Sequence, residues 1–237
     1  MVESLTSYNM LHTAIPALTT DGKNIYSAHE LNQGAASQTQ QMDKRGNRLR
    51  ITASHQVLAA YGFDGLNLVT AFNAPGDIIV RKRDTNFSSL RSISGITTTP
   101  SGIAFDGYYW IITDNHSSRD DIRYYHRSST QSVRAYSATM TEPESCGTDG
   151  KYIYLTGGGG AEAQRTKVLD RQGNIVTHFT PPGTFSTGVI SDGRVLYIQA
   201  GVNNLHLIRK YAPSKKPQID LDTFTDTSGT RLSAHST

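Results

Sequence analysis

Five Asp-Gly pairs divide the chain at almost equal steps. They stand at Asp21-Gly22, Asp64-Gly65, Asp106-Gly107, Asp149-Gly150 and Asp192-Gly193, separated by 43, 42, 43 and 43 residues. Each pair lies between two apolar or aromatic runs. This is the pattern of a tight β-hairpin, in which glycine supplies the positive φ that the turn needs. A period of this length implies one supersecondary unit used repeatedly, because such a unit cannot bury both faces alone and must lean on copies of itself.

The flanks of the turns repeat too. Four residues before each Asp stand Ala17, Ala60, Gly102, Ser145 and Gly188, all small. The next residues are Leu18, Tyr61, Ile103, Cys146 and Val189, and four residues after each Asp come Ile25, Leu68, Trp110, Ile153 and Leu196. One side of the first strand therefore packs while the other stays small, as crowding of strands near a common axis requires. A third strand is expected at Thr39 to Met42, Ile78 to Arg81, Ile122 to Tyr125, Lys167 to Leu169 and Leu205 to Ile208. A fourth is expected at Leu49 to Thr52, Ser89 to Ile93, Val133 to Ser137, Ile175 to Phe179 and Gln218 to Leu221.

Four antiparallel strands per unit predict a propeller blade. The fold class expected is all-β, a five-bladed β-propeller of four-stranded antiparallel blades. A single domain, 1–237, is expected, with blades near 10–54, 55–97, 98–140, 141–182 and 183–226, a lead segment 1–9 and a tail 227–237. Gly102-Ile103-Ala104-Phe105-Asp106-Gly107-Tyr108-Tyr109-Trp110-Ile111-Ile112-Thr113-Asp114 resembles the first two strands of an NHL-type propeller repeat. Lys151 to Thr156 with Val168 to Ile175 resembles another. The chain as a whole is similar to five-bladed repeat propellers of the NHL or tachylectin-like kind. That likeness implies a fold and leaves activity to be argued from a site.

Hydrophobic residues make up 36% of the chain, which suits thin sheets stacked face to face. No apolar run reaches the length of a membrane-spanning helix, and the N-terminus shows neither the basic start nor the apolar stretch of a secretory signal. The one cysteine, Cys146, excludes an internal disulfide framework and reads as a small buried hydrophobe. A net charge of +3 is too slight to point to nucleic acid. The polar share is rich in Ser, Thr, Asn, Gln and Tyr, a composition that favours a virion or extracellular setting.

Candidate site residues fall in two groups. The connections between second and third strands, 30–37, 73–77, 115–121, 157–165 and 201–204, vary while the frame repeats, which is where function usually sits. Asp114 to Asp121, with Asn115 and His116, concentrates oxygen ligands but lacks the spacing of a calcium loop. Gly157 to Gly160 has neither the Lys-Ser/Thr nor the βαβ setting of a phosphate loop. His12 and His55 each precede an Asp-Gly by nine residues and are candidate ligand contacts, without a third metal ligand beside them. Glu144, preceded by Glu142, is the one first-strand carboxylate outside the turns. The second group is a ring of cations at the third-to-fourth turns, Arg45, Arg83, Arg127, Arg171 and Lys215, which suits an anionic partner face or simply edge protection.

These readings predict a non-catalytic recognition or assembly module without cofactor or metal. The expected setting is a virion or tail component for host attachment, docking on a glycan or protein partner, as a homo-oligomer or in a larger assembly. Tyr8, Tyr61, Tyr108, Tyr109 and Trp110 offer aromatic faces for sugars. The alternatives are a stand-alone lectin and, further off, a carbohydrate-active hydrolase, for which a pair of carboxylates is the minimum and Glu144 the starting point.

Overall fold

A computed structural model describes residues 17–30, 37–44, 47–51, 58–72, 78–81, 89–93, 100–116, 119–157, 165–180, 186–193, 195–200 and 205–210. Their regular structure is entirely β-strand. Sheet one holds β1 (Ala17–Thr20), β2 (Asn24–Glu30), β3 (Ser37–Asp43) and β4 (Arg48–Ile51). Sheet two holds β5 (Leu58–Phe63), β6 (Leu68–Phe72), β7 (Ile78–Arg81) and β8 (Ser89–Ile93). Sheet three holds β9 (Pro100–Phe105), β10 (Tyr109–His116), β11 (Arg119–His126) and β12 (Ser132–Ser137). Sheet four holds β13 (Pro143–Thr148), β14 (Ile153–Gly157), β15 (Thr166–Leu169) and β16 (Ile175–Phe179). Sheet five shows β17 (Ser186–Ser191), β18 (Val195–Ala200) and β19 (Leu205–Lys210). The fourth strand expected there, 218–221, lies outside the described residues.

Every described sheet is an antiparallel meander in chain order. The innermost strands touch in a cycle: β1 meets β5, β5 meets β9, β9 meets β13, β13 meets β17, and β17 returns to β1. The architecture is a five-bladed β-propeller, and the ring closes between its fifth and first blades.

Alternation along the second strands explains the packing. Trp110 and Ile112 of β10 face the second blade, joining Ala60, Val69 and Ala71. Ile111, between them, faces the fourth blade with Cys146, Ile153 and Leu155. On β14, Tyr154 turns the other way and packs with Val189, Leu196 and Ile198 of the fifth blade. The seam has its own cluster, Leu18, Ile25 and Met42 against Ile190 and Tyr197. A residue period of two thus feeds apolar side chains to both faces of each sheet. Small residues of the first strands let neighbouring blades approach. A Cβ at Gly147 would stand 2.7 Å from the Val189 carbonyl oxygen, and one at Gly188 would stand 2.9 Å from Leu18.

One expected connection is shorter than the sequence suggests. Asn115 pairs with Asp120 and His116 with Arg119, so all of the 115–121 segment except 117–118 is ladder. Hydrogen bonding carries the hairpin past the point where its apolar pattern ends. No helix among the described residues is long and apolar enough to cross a membrane.

Candidate functional site

The five Asp-Gly turns gather at one end of the ring. In the first four blades the aspartate is the acceptor that builds its own turn. Asp21 Oδ1 accepts the N–H groups of Lys23 at 2.8 Å and Asn24 at 2.6 Å, and Asp149 Oδ1 accepts those of Lys151 at 2.8 Å and Tyr152 at 2.7 Å. The glycine that follows takes φ of +82° at Gly22 and +94° at Gly107, a region that residues with a Cβ avoid. In the first and fourth blades the preceding threonine locks the turn. Thr20 Oγ1 accepts from Gly22 N–H and donates to the Asn24 carbonyl, and Thr148 does the same with Gly150 and Tyr152.

The second carboxylate oxygen is held in two ways. Where the residue five beyond the aspartate is tyrosine, its hydroxyl donates to that oxygen: Tyr26 to Asp21 and Tyr154 to Asp149 at 2.9 Å, Tyr197 to Asp192 at 3.1 Å. The second and third blades carry Val69 and Ile111 there. In those blades the oxygen pairs with an arginine from the next blade: Arg127 with Asp64 at 2.9 Å, and Arg171 with Asp106. Lys44 of the first blade reaches Asp192 of the fifth at 2.5 Å, across the seam. Desolvation works against the Asp64 charge, but the N–H groups of Asn67 and Leu66 and the Arg127 guanidinium outweigh it and hold that carboxyl below its ordinary pKa.

The ring of cations read from the sequence therefore has a different character where it is described. Arg127 and Arg171 are about two-fifths exposed, yet their guanidiniums are bound to carboxylates that are 3% and 1% exposed. Arg127 also stacks over the Phe105 ring, with its guanidinium carbon 4.8 Å from the centroid. These cations join blade to blade. Arg45, Arg83 and Lys215 lie outside the described residues, and the neighbour of Arg45, Lys44, makes the seam contact.

An axial cavity of about 350 Å³ opens at this end, lined by residues of all five blades. Its second- and third-blade wall carries Phe63, Ile103 and Phe105, and the remaining sector carries Thr19, Thr20, Thr148 and Ser191. Beside it the turn tips differ. Leu66 and Tyr108 of the second and third blades are 67% and 58% exposed, while the equivalent positions in the first and fourth are Lys23 and Lys151.

Glu144 lies at a repeated irregularity of the first strands. Register shifts place one extra residue at Ala59, Ser101, Glu144 and Thr187, each five positions before its aspartate. A β-bulge of this kind re-aims a side chain and is common beside functional sites. Just before it, Glu142 holds φ at +53° and Thr139 at +55°, both left-handed and neither glycine. Burial, and then the nearby Glu142 charge, push the Glu144 carboxyl above its ordinary pKa. Its ionised form thus weakens the fold as pH rises from the unfolded-state value through the raised folded one. Glu144→Gln should raise the melting temperature at pH 8 and lose that advantage towards pH 4. A melting curve at each pH checks this, and a gain independent of pH would refute it.

The other candidates are placed as follows. His12 and His55 lie outside the described residues, as do Tyr8, 158–164 and the side chain of His116. Asn115 is half-buried in the β10–β11 ladder. Asp121, opposite the buried Asp114, bonds Arg123 at 3.0 Å, so a guanidinium occupies the acidic stretch. Among the described residues no three His, Cys, Asp or Glu side chains group as metal ligands. Tyr61 and Trp110 are core, 3% and 1% exposed, whereas Tyr108 is open. Cys146 is buried, and that burial pushes its thiol up to about 12. Sequence reasoning missed the tyrosine and arginine partners of the aspartates. Tyrosine five residues beyond Asp21, Asp149 and Asp192 was a readable signal for the first of these.

No protein-family model matches the chain, and no curated protein sequence matches it. Solved structures do. A chain of a nidogen/laminin complex aligns with a TM-score of 0.58 at 16% identity, over 79% of this chain and 72% of that one. Myxococcus xanthus glutaminyl cyclase aligns with a TM-score of 0.61 at 10% identity, over 84% of this chain and 95% of that one. A chain of a mitotic checkpoint complex aligns with a TM-score of 0.51 at 15% identity, over 83% and 64%. The shared feature is the fold. This chain is a β-propeller. At these identities the likeness carries no activity across, and the propeller's chemistry rests on its own side chains.

Proposed function

We propose that this propeller is a non-catalytic recognition or assembly module that docks on a protein or glycan partner. The observation that carries the reading is the commitment of its turn carboxylates. Asp21, Asp64, Asp106, Asp149 and Asp192 converge on one rim, yet each accepts hydrogen bonds or an ion pair that builds the turn or joins two blades. Groups held in this way stiffen a frame, and a stiff ring with differing tips is a platform for binding. Leu66 and Tyr108 add exposed apolar surface on that rim. Two of the similar structures come from complexes, which favours a protein partner by analogy. Kinship with NHL-type or tachylectin-like repeats belongs to the same reading. So does a virion or tail setting, which the polar composition favours.

A glycan array and a size measurement test it together. The expected outcome is retention of a glycan without turnover, or assembly into a larger symmetric particle. Conversion of any glycan would overturn the reading. The second reading, a carbohydrate-active hydrolase, is favoured by one observation: Glu144, on its bulge, has a raised pKa with Glu142 close by. Release of a sugar by the wild-type chain and not by Glu144→Gln would establish it.

A further inference from the structure

The axial cavity has two chemically different sectors, and they follow blade order. Blades two and three, neighbours in the ring, supply Phe63, Ile103 and Phe105. Blades four, five and one supply Thr148, Ser191, Thr20 and Thr19, with Cys146 and Ile190 set among them. The volume of about 350 Å³ lies at the lower end of the range for small-molecule pockets, roughly 300–1,000 Å³. Each first strand is also the terminal strand of its sheet. Among the described residues one backbone edge of β1, β5, β9, β13 and β17 consequently has no ladder; Ser145 Oγ takes the Val189 N–H of one such edge, and groups without a side-chain partner need a ligand or water.

The hydroxyls retain capacity for a guest. Thr20 and Thr148 have spent their single proton on the Asn24 and Tyr152 carbonyls and one lone pair on a glycine N–H, so each offers one remaining acceptor site. Ser191 accepts from Gly193 N–H at 3.1 Å. Thr19, only 5% exposed, stands on the same wall, and the hydrogen bonds of the turn do not use it. The two carboxylates at the mouth are already engaged, Asp21 by its turn and Tyr26, Asp192 by Lys44 and Tyr197. Among the described lining residues the charges are therefore already committed, and hydroxyls and apolar groups are what remain to meet a guest.

We infer that this end of the channel is a binding pocket for a neutral polyhydroxylated ring, a single pyranose unit. The ring's apolar face lies against Phe63 and Phe105, and its hydroxyls meet Thr19, Thr20, Thr148 and Ser191. The amphipathic character of a sugar matches the division of the wall, since aromatic side chains take its C–H face and a few fixed polar groups set its orientation. The inference rests on the recognition reading in one respect, that the guest is held and not cleaved.

The probes are the methyl glycosides of D-glucose, D-galactose, D-mannose and N-acetyl-D-glucosamine, with saturation-transfer NMR on the whole chain as readout. At least one should show saturable transfer with Kd of about 1 mM or tighter. Thr19→Val, which keeps shape and removes the hydroxyl, should weaken it at least about tenfold, roughly 1.4 kcal/mol. Ser191→Ala serves as an independent second variant, and melting curves certify that each is folded. Silence from all four glycosides overturns the pocket. So does transfer that both variants leave unchanged, which would place the sugar elsewhere on the ring. Release of methanol from the bound glycoside would instead sink the non-catalytic reading while the pocket stands.

Discussion

Gly102→Ala should melt about 6–12 °C below the wild-type chain. A Cβ there would stand 2.9 Å from the Ser145 carbonyl carbon and 2.7 Å from Thr113 Oγ1, and it would overlap the Cys146 backbone nitrogen. Overpacking ordinarily costs about 1–3 kcal/mol. The upper end is expected here because two of the three obstructing atoms are backbone of the next blade and cannot rotate aside. Gly62→Ala is the contrast. Its Cβ would meet mainly the Ile103 side chain, with Cγ2 at 2.7 Å, so repacking is open to it and a loss of about 1 kcal/mol is expected. Thermal denaturation of both proteins decides the matter. Equal melting temperatures would show that the small first-strand residues do not set blade spacing.

Asp106→Ala should cost about 3 kcal/mol. The Asp106 carboxylate accepts the N–H groups of Tyr108 at 2.9 Å and Tyr109 at 2.6 Å and pairs with Arg171 while only 1% exposed. Hydrogen bonds to a charged group contribute about 1.5–3 kcal/mol. Arg171→Ala should cost less, about 1–2 kcal/mol, because the turn still holds the carboxylate and the guanidinium is two-fifths open to water. The double variant supplies the coupling, expected near 1 kcal/mol and falling with added salt. Chemical denaturation of the four proteins measures it. A coupling of zero would mean that the pair contributes nothing between blades three and four.

The legibility of this chain follows the range of its interactions. The turns were readable because one residue type, glycine after aspartate, answers a local backbone demand. The β7, β8 and β16 strands fall where apolar alternation placed them, at Ile78–Arg81, Ser89–Ile93 and Ile175–Phe179. Arg127 and Asp64 were each visible, yet each had a sufficient local explanation, as an edge residue and as a turn residue. Their union across 63 positions is tertiary. The bulge at Glu144 was hidden for another reason. It is a property of strand register, which one strand's residues do not carry. The axial cavity exists only once five edges meet, so no single repeat announces its apolar and hydroxylated halves.

The Lys44–Asp192 bond joins residues 148 positions apart, whereas the comparable bonds elsewhere span one repeat and a half. Loop-closure entropy grows with the length of chain enclosed, so most of the circle can assemble from contacts between successive units, and the junction of its ends bears the greatest entropic cost. Mechanical or thermal opening should begin at this clasp, turning the closed annulus into a curved stack of blades with two newly wetted apolar faces.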